Sequence, residues 1–177
     1  MSPTVEDKEI EVNRCILSFA SPVFEKMFSL DMKEGKTGVA ILPGKSFDAV
    51  QFMVDTITTN AQKGLEDNLR IPYNILQEVC ELYHQYDIAI LKKVCEKSII
   101  AEVNLSTSNS YNTVYGSKDD AIKTLRKMKC LLKTAIKTNL QKAVDKAEEQ
   151  MKTKWKEMGV GTAILRMIQL EMEDEQA

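Results

Sequence analysis

The sequence predicts an α+β protein that is mostly helical. Short strands sit among a cluster of five or more helices, and an all-helical C-terminal extension follows. Three observations predict it. Apolar residues recur at spacings of three and four along most of the chain, the pattern of helices that bury one face. Only residues 8–12 and 39–42 read as strands. From Lys118 to Met158 there is neither glycine nor proline, so nothing in that tract interrupts a helix.

In chain order, Lys-Glu-Ile-Glu-Val at 8–12 alternates polar and apolar, as a half-buried strand does. From Arg14 the pattern turns helical. Ser21 before Pro22 is a helix start: serine can accept from an orphan amide, and proline at the first helical position wastes no donor. Val23, Phe24, Met27 and Phe28 then share a face. A loop from Met32 to Gly38 leads into Val-Ala-Ile-Leu at 39–42, read as a buried strand that Pro43-Gly44 ends. Ser46 caps a helix with Phe47, Val50, Val54 and Ile57 as its stripe, and residues 60–70 are polar and loop-like. Pro72 opens a helix carrying Ile75, Leu76, Val79, Cys80 and Tyr83 inward. Tyr86-Asp87 punctuates it, and the helix over 88–100 turns Leu91, Val94, Cys95 and Ile99 inward. Phe19, Phe24, Phe28 and Trp155 are expected in the core from their spacing.

A shift to Ser, Thr and Asn at 104–117 sets a boundary near 103 and predicts a linker. The stripe from Ala121 to Trp155 and Met158 reads either as one long self-pairing helix or as a hairpin broken near Thr138-Asn139. Alanines at 121, 135, 143 and 147 suit close packing, which favours the hairpin. An amphipathic piece closes the extension at 172, and 173–177 form an acidic tail.

Bulk composition bounds function. The 177 residues are 44% apolar with a net charge of −2, enough for a real core and indicative of neither nucleic acid nor membrane. Charge is uneven, however. Residues 118–156 hold twelve Lys/Arg against five Asp/Glu, while residues 1–100 hold eleven against fifteen. The extension is thus the side expected to meet an acidic partner. Few aromatics interleave with its lysines, which weighs against nucleic acid. The N-terminus reads as no secretory signal, and no apolar run nears the roughly 18 residues of a membrane helix. Cys15, Cys80, Cys95 and Cys130 form no CxxC pair and are expected as buried free thiols in the cytoplasm or nucleus. The single His84, with no ligand partner in reach, is expected as a surface or partly buried structural residue, and no cofactor or metal is expected. Glu78 and Glu81 read as a solvated helix face rather than an acid/base pair, so the chain is not expected to be an enzyme.

Residues 12–28, VNRCILSFASPVFEKMF, resemble the signature of the BTB/POZ family. There a strand ends in a Val-His-Arg/Lys type triplet, and an apolar helix, a Ser-x-x-Phe turn and a second helix follow. Phe19, Ser21, Pro22, Phe24 and Phe28 carry that match. The resemblance continues through Glu34, the 39–42 strand, the helix after Ser46 and ILQEVCELYHQYDIAILKKVCEKSI, the family's closing helical pair. It covers residues 8–100 and makes residues 1–103 a BTB/POZ-like domain, with the family's front strand largely missing and Asn13 where the family has His. The resemblance implies a protein-interaction adaptor that links a partner to a cullin-type ubiquitin ligase scaffold. Met32 and Glu34 fit the family's hydrophobic-x-Glu contact element, with Asp31 and Tyr86 as further contact residues. Residues 118–172 resemble the helical extensions that follow many BTB domains, and no Kelch, MATH or zinc-finger segment is expected. A self-assembling scaffold without a ligase link, including a homodimer, is the alternative; a nucleic-acid or chromatin-associated factor is a weaker one.

Overall fold

The computed structural model describes residues 9–29, 32–63, 69–108 and 118–157, without the side chains of 62–63, 106–108, 118–125, 151 and 154–157. Among the described residues there are eight helices and no strand. They are α1 (Arg14–Ala20), α2 (Pro22–Ser29), α3 (Lys33–Thr37), α4 (Phe47–Lys63), α5 (Tyr73–Tyr86), α6 (Ala89–Ser108), α7 (Lys118–Lys137) and α8 (Gln141–Glu157). None of these helices is long and apolar enough to cross a membrane. Two compact units divide the chain at Ser98 and Ile99, inside α6.

The mostly helical expectation holds among the described residues, whereas the short strands expected with it are not found there. Residues 9–12 and 39–42 belong to no strand. A strand is held by a ladder partner as much as by its own alternation. Val39 and Ile41 are 55% and 75% exposed, so the burial expected of this segment is not there to fix it.

In the first unit the core is built by α2, α4, α5 and the first part of α6. Phe24 and Phe28 are buried on α2, and Met53, Val54 and Ile57 on α4. Of the expected α4 stripe, Val54 and Ile57 are buried and Phe47 and Val50 only half-buried, while Ala49 and Met53 are fully packed beside it. The α5 and α6 stripes lie inward as their spacing predicts, with Leu82, Tyr86, Ile88 and Ser98 added. Asp87 ends α5 in the left-handed region at φ 49°, and its amide returns to the Tyr83 carbonyl. Before the start of α5, the Ile71 amide donates to Ser98 Oγ at 3.0 Å, which satisfies a buried donor.

Ser46 caps α4 as expected, accepting from the Ala49 amide at 3.3 Å. Its own amide donates to Glu78 at 2.6 Å, and Lys45 pairs with Glu81 at 2.5 Å. Glu78 and Glu81 are thus not a merely solvated face. They tie the start of α4 to α5.

In the second unit α7 and α8 form a hairpin. Asn139 makes the turn at φ 55°, and the Leu140 amide reaches back to the Ala135 carbonyl at 2.8 Å. The break near Thr138-Asn139 is thus where the sequence puts it. Met128, Leu132, Ala135, Leu140, Ala143 and Ala147 pack inward, and Lys127 pairs with Glu102 at 2.7 Å. Residues 104–108, expected as linker, instead continue α6. Val103 is fully buried, so the helix is anchored at that point and propagation carries its polar end further. The remaining linker residues, the 158–172 piece, the acidic tail and the Trp155 side chain lie outside the described residues.

Candidate partner-docking site

Ser21 is the joint of the first two helices. Its amide closes α1 on the Leu17 carbonyl at 3.1 Å, and its Oγ accepts from the Phe24 amide at 3.1 Å to start α2. The same hydroxyl donates to the Tyr86 carbonyl at the end of α5. One fully buried serine therefore caps two helices and fastens them to a third. The ring of Tyr86 stacks on Phe24 at 4.7 Å between centroids, and Phe28 stacks beyond at 6.1 Å. Burial pushes the Tyr86 phenol up from its ordinary value, as it does for Tyr83 with help from Asp87.

Tyr86 was expected at a partner contact. At 5% exposure it is core instead, where its ring completes the aromatic stack. Phe19 is corrected in the opposite direction, because it is 95% exposed. Leu17 is the buried residue of α1, and two residues along a helix turn a side chain roughly 200° away, so both cannot face inward. Ser21, Phe24 and Phe28 do lie in the core, and Pro22 is exposed at the first turn of α2.

From this joint, α2 leads to the short α3. Met32 sits at its N-cap, 48% exposed and without a side-chain cap bond, and Glu34 is half-buried in its first turn. Asp31 lies outside the described residues. Gly38 closes α3 at φ 70°, with its amide on the Glu34 carbonyl at 2.9 Å. Arg14, on α1, reaches this corner. Its guanidinium donates to the carbonyls of Phe28 and Gly35 and lies over the Phe28 ring at 5.3 Å. In the sequence Arg14 stands out only as part of the signature triplet, because its carbonyl partners lie 14 and 21 residues away.

His84 is exposed, as expected. The four cysteines are free, but only Cys80 and Cys95 are buried. Cys15 and Cys130 are exposed, because α1 and α7 turn Leu17 and Leu131 inward instead. A hydrogen bond with Cys80, together with burial, pushes the Cys95 thiol well above its ordinary value. Among the described residues no group of three or more His, Cys, Asp or Glu side chains is placed to hold a metal.

The helical order, the Ser21 joint and the α5–α6 pair coincide with a sequence match to the BTB/POZ domain over residues 4–102, more than half of the chain. The chain belongs to the BTB/POZ family. Among its BTB relatives, the Caenorhabditis elegans BTB and MATH domain-containing protein 42 is 34% identical over 102 residues, 57% of this chain and 24% of that protein. Human Kelch repeat and BTB domain-containing protein 3 is 28% identical over 116 residues, 62% of this chain and 18% of the relative. Mouse Kelch repeat and BTB domain-containing protein 4 is 28% identical over 102 residues, or 58% and 18%. The chain spans about a quarter or less of the length of these BTB relatives. No solved structure matches it.

Proposed function

We propose that this BTB/POZ chain is a protein-interaction adaptor that docks on a cullin-type ubiquitin ligase scaffold through Met32 and Glu34. The observation that carries the reading is the character of α3, none of whose residues is buried. A helix that adds nothing to its own core is free to present side chains to a partner. An exposed, flexible methionine can fill an irregular apolar pocket, and a carboxylate beside it can take a cation at the rim. On this reading the chain works in the cytoplasm or nucleus, where thiols such as Cys80 and Cys95 stay reduced. The test is a titration against the N-terminal helical region of a cullin. Met32→Ala with Glu34→Ala is expected to weaken binding by about 2–4 kcal/mol. An unchanged affinity would refute the assignment.

A second reading, self-association, is favoured by the exposure of Phe19, Val39 and Ile41 at 95%, 55% and 75%. Large apolar side chains left in water are common marks of an interface. Light scattering on the purified chain decides it: a monomer with Phe19 intact would end this reading.

A further inference from the structure

We infer that Arg14 is a positioning residue that holds α3, and with it Met32 and Glu34, against the end of α2; its bearing on binding rests on the docking role proposed above for α3. A five-residue helix does not hold itself in water, since helices below about 12 residues are marginal even with good sequences. This one has no side-chain cap at Met32 and no buried residue to anchor it. What keeps it is visible in the carbonyl accounts. Met32 O accepts from the Lys36 amide at 3.1 Å, Lys33 O from the Thr37 hydroxyl at 2.9 Å and Glu34 O from the Gly38 amide at 2.9 Å. The next carbonyl, of Gly35, lies beyond the reach of these closures, and Arg14 Nη1 donates to it at 3.4 Å.

The other guanidinium nitrogen, Nη2, donates to the Phe28 carbonyl in the last turn of α2, where a helix leaves carbonyls without internal partners. The flat face of the same group lies over the Phe28 ring, which is itself buried in the aromatic stack with Phe24. One planar cation therefore joins three points: a ring fixed in the core, the end of α2 and the last turn of α3. Arginine suits this because its fork offers two separated donors and a stacking face at once. Lysine offers a compact ammonium whose three donors share one nitrogen, with no planar face to lie on the ring.

The test is backbone ¹⁵N relaxation and amide exchange on the full chain, for the wild type, Arg14→Lys and Arg14→Ala, with the scaffold titration run on the same samples. In the wild type the Lys36 and Gly38 amides are expected to be ordered. In Arg14→Ala the order parameters over residues 33–38 are expected to fall from about 0.85 toward about 0.6 or below, while those of α5 stay unchanged. Arg14→Lys is expected to fall between them and provides a folded comparison should the alanine variant lose α1. Scaffold affinity is expected to drop roughly three- to tenfold in Arg14→Ala with Met32 and Glu34 intact. Equal order of residues 33–38 in all three proteins, or a wild-type α3 without order, would overturn the inference. A wild-type chain that binds no scaffold would remove the docking reading instead, and the relaxation data would still decide whether Arg14 holds α3.

Discussion

Phe19 on α1 and Phe24 on α2 carry the same side chain in opposite settings: one is 95% exposed, the other 1%. The difference extends to the regions around them. Phe24 stands in a closed stack with Phe28 and Tyr86, and Ser21 bonds the start of its helix to the end of α5. Phe19 has no such stack, and Val39 and Ile41 are likewise largely exposed, while α3 buries none of its residues. The comparison separates two roles that hydrophobicity alone confuses. The α2–α5 region closes its apolar side chains against one another, whereas the exposed residues add little to that packing.

Breaking the closed region is expected to have the largest effect. Phe24→Ala removes the centre of the stack and leaves a cavity, and should lower stability by about 3–5 kcal/mol in urea unfolding. Ser21→Ala removes a cap and leaves the Phe24 amide and the Tyr86 carbonyl without that hydroxyl. A loss of about 2 kcal/mol is expected by the same measurement. These two values rank the stack above its fastening, and the reverse order would mean that the joint rather than the rings holds α2 in place.

A third prediction probes the interior through pH. The folded Cys95 thiol is raised above its unfolded value by its bond to Cys80 and by burial, so the folded chain keeps a proton that the unfolded chain gives up. The stability it contributes is fully present below the unfolded thiol value of about 8.5 and is lost as pH rises above it, at up to ~1.4 kcal/mol per pH unit. Tyr83 and Tyr86, also raised, act with the same sign above about pH 10. Urea midpoints at pH 8 and pH 10 should therefore fall, and fall less in Cys95→Ala. An identical alkaline slope in that variant would contradict the assignment to Cys95.

The smallest effect belongs to the exposed region. Phe19→Ala, and Met32→Ala with Glu34→Ala, should each change stability by about 0.5 kcal/mol or less, because these surface side chains contribute little to the packed core. A loss near that of Phe24→Ala would erase the distinction between the two regions.

Much of the closed region was legible in the sequence, since long helices repeat their stripe often enough to fix a face. The α5 residues Ile75, Leu76, Val79, Cys80 and Tyr83 are all buried, and α7 and α8 meet at the turn their composition marked. Short elements were not legible. Seven residues of α1 cannot show whether Leu17 or Phe19 faces inward, and four alternating residues cannot show whether a ladder partner exists. At the site, Met32 and Glu34 come from a family resemblance, and the contact role expected for Tyr86 overlooks that its ring closes the stack. Arg14 and Ser21 act through backbone carbonyls far away in sequence, which no local pattern encodes.

The most direct test of the central claim is the titration of the purified chain against the N-terminal helical region of a cullin, run beside its Met32→Ala/Glu34→Ala variant with urea unfolding on both. The account predicts saturable binding by the wild type, a loss of about 2–4 kcal/mol in the variant and unfolding midpoints that coincide. Equal binding by the two proteins, or a variant that loses stability as it loses binding, would contradict it.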